Sequence, residues 1–191
     1  MGRTQTYDRA DAVRAARGVF WAQGYESAPL PELERVTGLN RSSIYHAFGS
    51  KRGLFDAAVD SYLDEVVRPR LQPLTAPSVA PDALEGYLSG LRGALRSAGG
   101  PASGCLLVNS AVAPIGRDDA VAQVVADYRA ELRAAFVRGV AARRADLDGA
   151  GRAILADACT GLVVSAFALV RVDPDAADDA LRTALALVTA G

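Results

Sequence analysis

Apolar positions recur at helical spacing along nearly the whole chain, and no stretch alternates with the period of two that would mark a strand. Ala12, Ala16, Val19, Phe20 and Gln23 keep a 3.6-residue period and predict a first helix from about Tyr7 to Gln23. Gly24 and Tyr25 follow as a glycine C-cap with its hydrophobic neighbour. A second helix is expected to begin near Pro31, a good first-turn residue, and to stop at Gly38. Gly38-Leu39-Asn40 makes the turn, with Asn40 placed to cap a third helix. In that third helix Ile44, Ala47 and Phe48 share one face, while Ser42, Tyr45 and His46 share the other, with Arg41 leading.

A fourth helix starts near Lys51 and carries Leu54, Phe55, Val59, Tyr62 and Leu63 towards Arg68. Pro69, Pro73, Pro77 and Pro81 then read as a loop that separates a head from a body. The body is expected to hold a fifth helix from about Asp82 to Ser97, broken by Gly99-Gly100-Pro101. Cys105-Leu106-Leu107-Val108-Asn109-Ser110 opens an apolar sixth. A long amphipathic seventh runs from about Asp118 to Arg144, an eighth from Gly149 to Val170, and a ninth from Pro174, behind Asp173, to Thr189. The eighth is apolar on nearly every side and must be covered on every side. It is either wholly interior to a monomer, or, as we favour, paired with the ninth across a two-fold axis to make a four-helix bundle.

Composition sharpens this all-α reading. Half of the 191 residues are hydrophobic, yet only 6% are aromatic, which suits close-packed helices. Net charge is −1, but residues 1–52, counted from Arg3 onward, carry a surplus of about three positives, while Asp173, Asp175, Asp178 and Asp179 crowd the other end. A basic head on an acidic body fits a head that meets nucleic acid. Cys105 and Cys159 show no paired spacing, which suggests a reducing compartment, and a single histidine with two cysteines offers no evident zinc site. The N-terminus lacks the apolar core of a signal peptide, and the apolar stretch Ala153–Val172 carries Asp157 and Arg171, so a cytoplasmic protein with no membrane partner is expected. No glycine-rich phosphate loop follows a strand, and no nucleophile has a histidine partner beyond His46. Neither an enzyme nor a bound cofactor is expected.

The third helix has one dry face and one small, hydrogen-bonding face, which suits a DNA major groove. Lys51, the single lysine of the chain, follows the next turn, where an ammonium can meet a phosphate and fix register without reading sequence. With Phe20 and Gly24-Tyr25, then Thr37-Gly38-Leu39-Asn40, Ser42-Ser43-Ile44-Tyr45-His46-Ala47-Phe48 and Ser50-Lys51-Arg52-Gly53-Leu54-Phe55, the head resembles that of TetR/AcrR-type transcriptional regulators along about residues 8–63. Gly104-Cys105-Leu106-Leu107-Val108-Asn109 resembles the start of helix six in one large branch.

The resemblance implies an all-helical homodimer on a palindromic, double-stranded operator, usually a repressor, released by a small molecule held in the body. Its division would be a helix-turn-helix DNA-binding domain at 1–50 and a ligand-binding and dimerisation domain at 51–191, joined by a helix over 51–68. Arg41, Ser42, Ser43, Tyr45 and His46 would face the groove or its walls, Ser43 lying at the edge against the second helix, and Lys51 would hold a phosphate. An effector pocket would lie between the fifth and eighth helices, below the fourth, with Tyr62, Tyr87, Leu91, Cys105, Asn109, Tyr128, Phe136 and Phe167 as candidates. Few of these carry charge, which points to a neutral or apolar ligand. Cys105 has two readings, a thiol that senses oxidants or electrophiles and a small buried residue beside a tight Gly104 turn. Cys159 and Trp21 read as packing.

The head departs from the family pattern in two places. Where many relatives start the second helix with adjacent threonines, this chain has Ala28 and Pro29, with Ser27 one place early. A usual alanine beside the recognition helix is Glu34, which either turns to Arg35 or Arg41 or weakens the approach to DNA. These departures keep a second function in view, a helical ligand-binding or protein-interaction module whose helix-turn-helix no longer binds DNA.

Overall fold

The structure is a computed structural model that describes residues 8–97 and 104–190. The expected helix start at Tyr7, the charge at Arg3 and the Gly99-Gly100-Pro101 break lie outside the described residues. Among the described residues every regular element is helical. Helix α1 (Arg9–Gln23) is capped by Asp8, whose Oδ1 accepts from the backbone N–H groups of Ala10 and Asp11 at 2.7 and 3.3 Å. It buries Ala12, Val13, Ala16, Val19 and Phe20. Helices α2 (Leu30–Thr37), α3 (Arg41–Phe48) and α4 (Lys51–Tyr62) complete the head around Phe20, Leu33, Ile44, Leu54 and Phe55.

The turn between α3 and α4 is tight. Gly49 sits at φ 76°, a value that disfavours any side chain, and Ser50 caps α4 by accepting from the Gly53 N–H at 3.0 Å. A Cβ on Gly53 would lie 1.9 Å from the Phe48 carbonyl oxygen, so the first turn of α4 rests directly on the last turn of α3.

The proline-rich loop is corrected in its first half only, since Pro77 and Pro81 do lie in the loop between Thr75 and Ala83. After α4 the helix continues through a π-helical turn, Leu63–Val67, into α5 (Arg68–Thr75), which contains Pro69 and Pro73. Pro69 directly follows the π-helical turn, where the backbone bonding pattern already shifts. Val67, Leu71 and Leu74 keep one buried face running through both prolines, and α5 packs on α6 and α8. Burial along that face outweighs the hydrogen bond that Pro73 forfeits.

The body holds α6 (Ala83–Ser97), α7 (Leu106–Val112), a 3-10 turn (Pro114–Arg117), α8 (Asp119–Arg143), α9 (Gly149–Leu169) and α10 (Pro174–Thr189). Arg92 on α6 grips Asp178 on α10 through both oxygens, at 2.6 and 2.8 Å, and Arg133 on α8 pairs with Asp157 on α9. Helix α9 has a mean hydropathy of 1.6 in its most apolar stretch, yet its neighbours cover only part of it. Ala150, Ile154, Ala158, Gly161 and Ala168 line its outward side, with Val172 just beyond its end, Ile154 being 70% exposed and Val172 78%. Leu187 on α10 is also exposed.

The α3–α4 contact generates a paired test. Gly53→Ala is expected to cost more than about 2 kcal/mol, because backbone rather than a flexible side chain must move. Gly18→Ala, at an exposed mid-helix site with open space, should add about 0.4–1 kcal/mol. Urea unfolding of the two variants reads both.

Candidate nucleic-acid interface

Helix α3 divides as its sequence pattern predicts. Ile44 is fully buried, Ala47 and Phe48 are half-buried, and Arg41, Ser42, Tyr45 and His46 are exposed. Ser43 is half-buried at the edge, its N–H held by the Asn40 side chain at 2.9 Å. Tyr45 stands 41% exposed.

The cations around α3 fall into two groups. Arg14 and Arg17 both reach Glu65, at 3.2 and 2.9 Å, and Arg17 also donates to Ser61; Arg35 pairs with Glu32 at 3.6 Å. Arg9, Arg41 and Lys51 have no carboxylate partner among the described residues. Each lies over a ring instead: Arg9 over Phe48 at 4.8 Å, Arg41 over Tyr45 at 5.6 Å, and Lys51 over Tyr25 at 4.8 Å from the ring centre. An exposed cation–π contact contributes about 0.5–1 kcal/mol, so a phosphate could draw such a charge away without first breaking an ion pair. Burial beside Tyr25 lowers the Lys51 pKa, with the Glu26 charge opposing. The sequence reasoning missed Arg9; its place at the start of α1, two helices before Phe48, left no local signal.

Helix α2 settles the departures in part. It has no side-chain cap, and Ala28 is fully buried, so that position packs rather than offering a hydroxyl. Glu34 is half-buried and pairs with neither Arg35 nor Arg41, the former holding Glu32 and the latter lying over Tyr45.

Polar struts tie this head to the body. Arg52 binds Asp56 through Nε at 2.7 Å and Asp118 through its terminal nitrogens at 2.8 and 2.9 Å. Asp118 also caps α8, its Oδ1 accepting from Ala120 and Val121 at 3.0 and 3.2 Å. The Arg52 bond, with those backbone donors, holds the Asp118 carboxyl down at about 2. Glu26, in the turn after α1, accepts from the Ile115 N–H at 2.6 Å.

A four-helix head with an exposed polar α3 and a separate helical body also describes known proteins. The family model described as "Bacterial regulatory proteins, tetR family" matches residues 12–58, from α1 into α4. The regulator YezE of Bacillus subtilis (strain 168), an HTH-type transcriptional regulator, is 30% identical over 143 residues, which cover 73% of this chain and 72% of that protein. The chain belongs to the TetR family. It is a DNA-binding transcriptional regulator. ComR of Escherichia coli (strain K12), an HTH-type transcriptional repressor, is 40% identical over 63 residues, a match that spans 30% of that repressor. Among solved structures, a cysteine mutant of the TetR family regulator CifR complexed with 26bp double-strand operator DNA superposes with a TM-score of 0.79 at 30% identity, covering 96% of this chain and 98% of that one.

In this TetR-family body the effector candidates partly converge. Cys105 is fully buried, and burial together with this thiol pushes the Tyr62, Tyr87 and Tyr128 hydroxyls above their usual range. Tyr87 also meets Phe136 edge-on at 5.2 Å. Asn109 stands one turn beyond Cys105, its side-chain nitrogen buried without a hydrogen-bond partner among the described residues. Tyr87 and Leu91 face the other way as well, lining a groove of about 550 Å³ between α5 and α6 with Arg70, Pro73, Gly86 and Gly90. Phe167 approaches the site through its backbone, beside Gly104. Trp21 packs edge-on against Tyr62 at 4.9 Å, and Cys159 is buried, as packing residues should be.

The Asp118 carboxylate has a consequence for acid stability. Its pKa is lower folded than unfolded, so the stability it supplies is present above about pH 4. That contribution is lost as pH falls towards about 2. Asp118→Asn should remove this part of the acid transition while keeping a capping oxygen for α8. Circular dichroism followed from pH 6 to pH 2 in both proteins checks it.

Proposed function

We propose that this regulator is a repressor that binds a palindromic operator as a homodimer and leaves it when a small, mostly apolar effector fills the body. The observation that carries the reading is the polar face of α3 flanked by Arg9, Arg41 and Lys51, cations held on rings rather than by carboxylates. Tyr45 and His46 read base edges, Arg41, Ser42 and Ser43 meet the groove walls, and Lys51 holds a phosphate. The operator complex described for CifR supports the same use of the head. Residues 1–50 act as the DNA-binding domain and 51–191 as the effector and dimer domain, with α4 packing on α1 and α3 while joining the two.

The outward stripe of α9, continued by Leu187 on α10, supports dimerisation through these two helices. Two copies meeting there form a four-helix bundle whose small residues let the backbones approach closely. Tyr62, Tyr87, Tyr128 and Cys105 support an effector site directly beneath α4, so a ligand there moves α4 and the heads with it. A separate groove of about 550 Å³ between α5 and α6, reached through Tyr87 and Leu91, has the size of a small-molecule site. The coupling is reciprocal, so operator weakens effector binding by the same factor.

Fluorescence anisotropy on duplexes from the chain's own upstream region, against scrambled duplexes and at several salt concentrations, tests the reading. Salt-dependent preference for one palindrome with two protomers bound is the expected result. No preference at any salt turns the assignment to a helical module without DNA, the reading that the uncapped α2 and unpaired Glu34 favour. Tyr45→Ala should cost about 1–3 kcal/mol of specific binding, whereas Lys51→Ala should weaken all sequences evenly and lower the salt slope by about one. Ala158→Glu, which puts a charge on the outward face of α9, should leave a folded monomer in sedimentation and weaken operator binding.

A further inference from the structure

Arg171 lies in the turn between α9 and α10, yet its guanidinium reaches the last turn of α1 in the head. Its Nη2 donates to the Trp21 carbonyl and its Nη1 to the Ala22 carbonyl, the latter at 3.4 Å. Both acceptors belong to the last turn of α1, where carbonyls lack intrahelical partners and the helix dipole is negative. Helix α1 has no basic residue in its own last turn. A residue some 150 positions away supplies that charge. Trp21 is fixed from its other side by the edge-on contact with Tyr62 on α4, so the end of α1 is clamped between α4 and the end of α9.

The same end of α9 touches the approach to the effector site. Gly104, at φ 85°, lies so close that an added Cβ would be 2.7 Å from the Phe167 carbonyl oxygen and 3.3 Å from Val170 Cγ1. Close packing of this kind transmits a shift rather than absorbing it. The end of α9 thus contacts the segment leading to Cys105 on one side and the end of α1 on the other, while the rest of α9 carries the outward apolar stripe.

We infer that Arg171 is a positioning residue for DNA binding: it fixes the angle of each head against the dimer helices and so sets the spacing between half-sites that the dimer accepts. The inference rests on the dimeric operator-binding reading above. Two heads on one bundle match half-sites about one helical turn of DNA apart, and moving one half-site by a single base pair displaces and rotates it. A rigid head loses affinity for the shifted site. A head without the Arg171 tie, held by Arg52–Asp118 and Glu26–Ile115 alone, follows it more readily.

The test measures binding of the full-length protein to its operator and to versions with one base pair inserted or deleted between half-sites. Wild type should show a sharp spacing optimum. Arg171→Ala should flatten it, reducing the ratio between native and shifted spacing by on the order of 5-fold or more. Affinity for an isolated half-site should stay unchanged, a readout that a general loss of folding would move. Arg171→Lys keeps the charge at the α1 terminus but loses the two-pronged donor, and an intermediate profile is expected. Should Arg171→Ala not fold, the Arg171→Lys profile decides. A sharp optimum shared by wild type and both folded variants overturns the inference and leaves the operator reading intact. A wild-type protein that binds no duplex, or binds as a monomer, overturns that reading and the inference with it.

Discussion

Phe55 meets Phe20 and Tyr25 edge-on, at 5.3 and 5.2 Å, and this aromatic contact makes α1, the turn after it and α4 a single body. Everything that faces DNA is arranged on it. Leu33 and Ile44 bury themselves against the same core, which holds α2 and α3 at a fixed angle without a side-chain cap on α2. The rest of α3 is then free to be polar. Tyr25, whose ring closes the aromatic contact, also carries the Lys51 ammonium, so core and charge presentation share a residue.

The head uses its arginines in two ways that net charge does not distinguish. Arg14, Arg17 and Arg52 hold carboxylates of α4 or its continuation, and Arg52 reaches the body as well; these are structural charges. Arg9, Arg41 and Lys51 rest on rings. A count of positive residues along the sequence gives the sign of the field but not which charges are committed elsewhere. The folded arrangement separates them, because Glu65 and Asp118, which hold Arg14, Arg17 and Arg52, lie tens of residues away.

Legibility followed the range of the interaction. Caps and periodicity are local, and Asn40, Asp118 and Asp173 mark helix starts in the sequence as they do in the fold. The split of α3 into dry and polar faces was equally readable. Proline misled, because its local cost is visible in sequence whereas the burial of Leu71 and Leu74 that offsets it is not. Tyr62, Tyr87, Tyr128 and Cys105 were candidates by helical position, and the fold brings them together; Leu91 and Phe167 stand at the edges of that cluster. The ties of Arg52 to Asp118, Glu26 to Ile115 and Arg171 to α1 left no sequence signal, since each joins elements distant along the chain. For Glu34, neither arginine proposed as its partner takes that role.

Asp118 serves two elements with one carboxylate, closing the first turn of α8 while holding Arg52. The two uses are coupled in both directions. Drawing Arg52 off leaves the carboxylate without its counter-charge and holds the first turn of α8 less firmly. Fraying that turn displaces the carboxylate and loosens its hold on Arg52 by the same free energy. The one carboxylate therefore makes the order of the α8 terminus and the docking of the head a shared equilibrium.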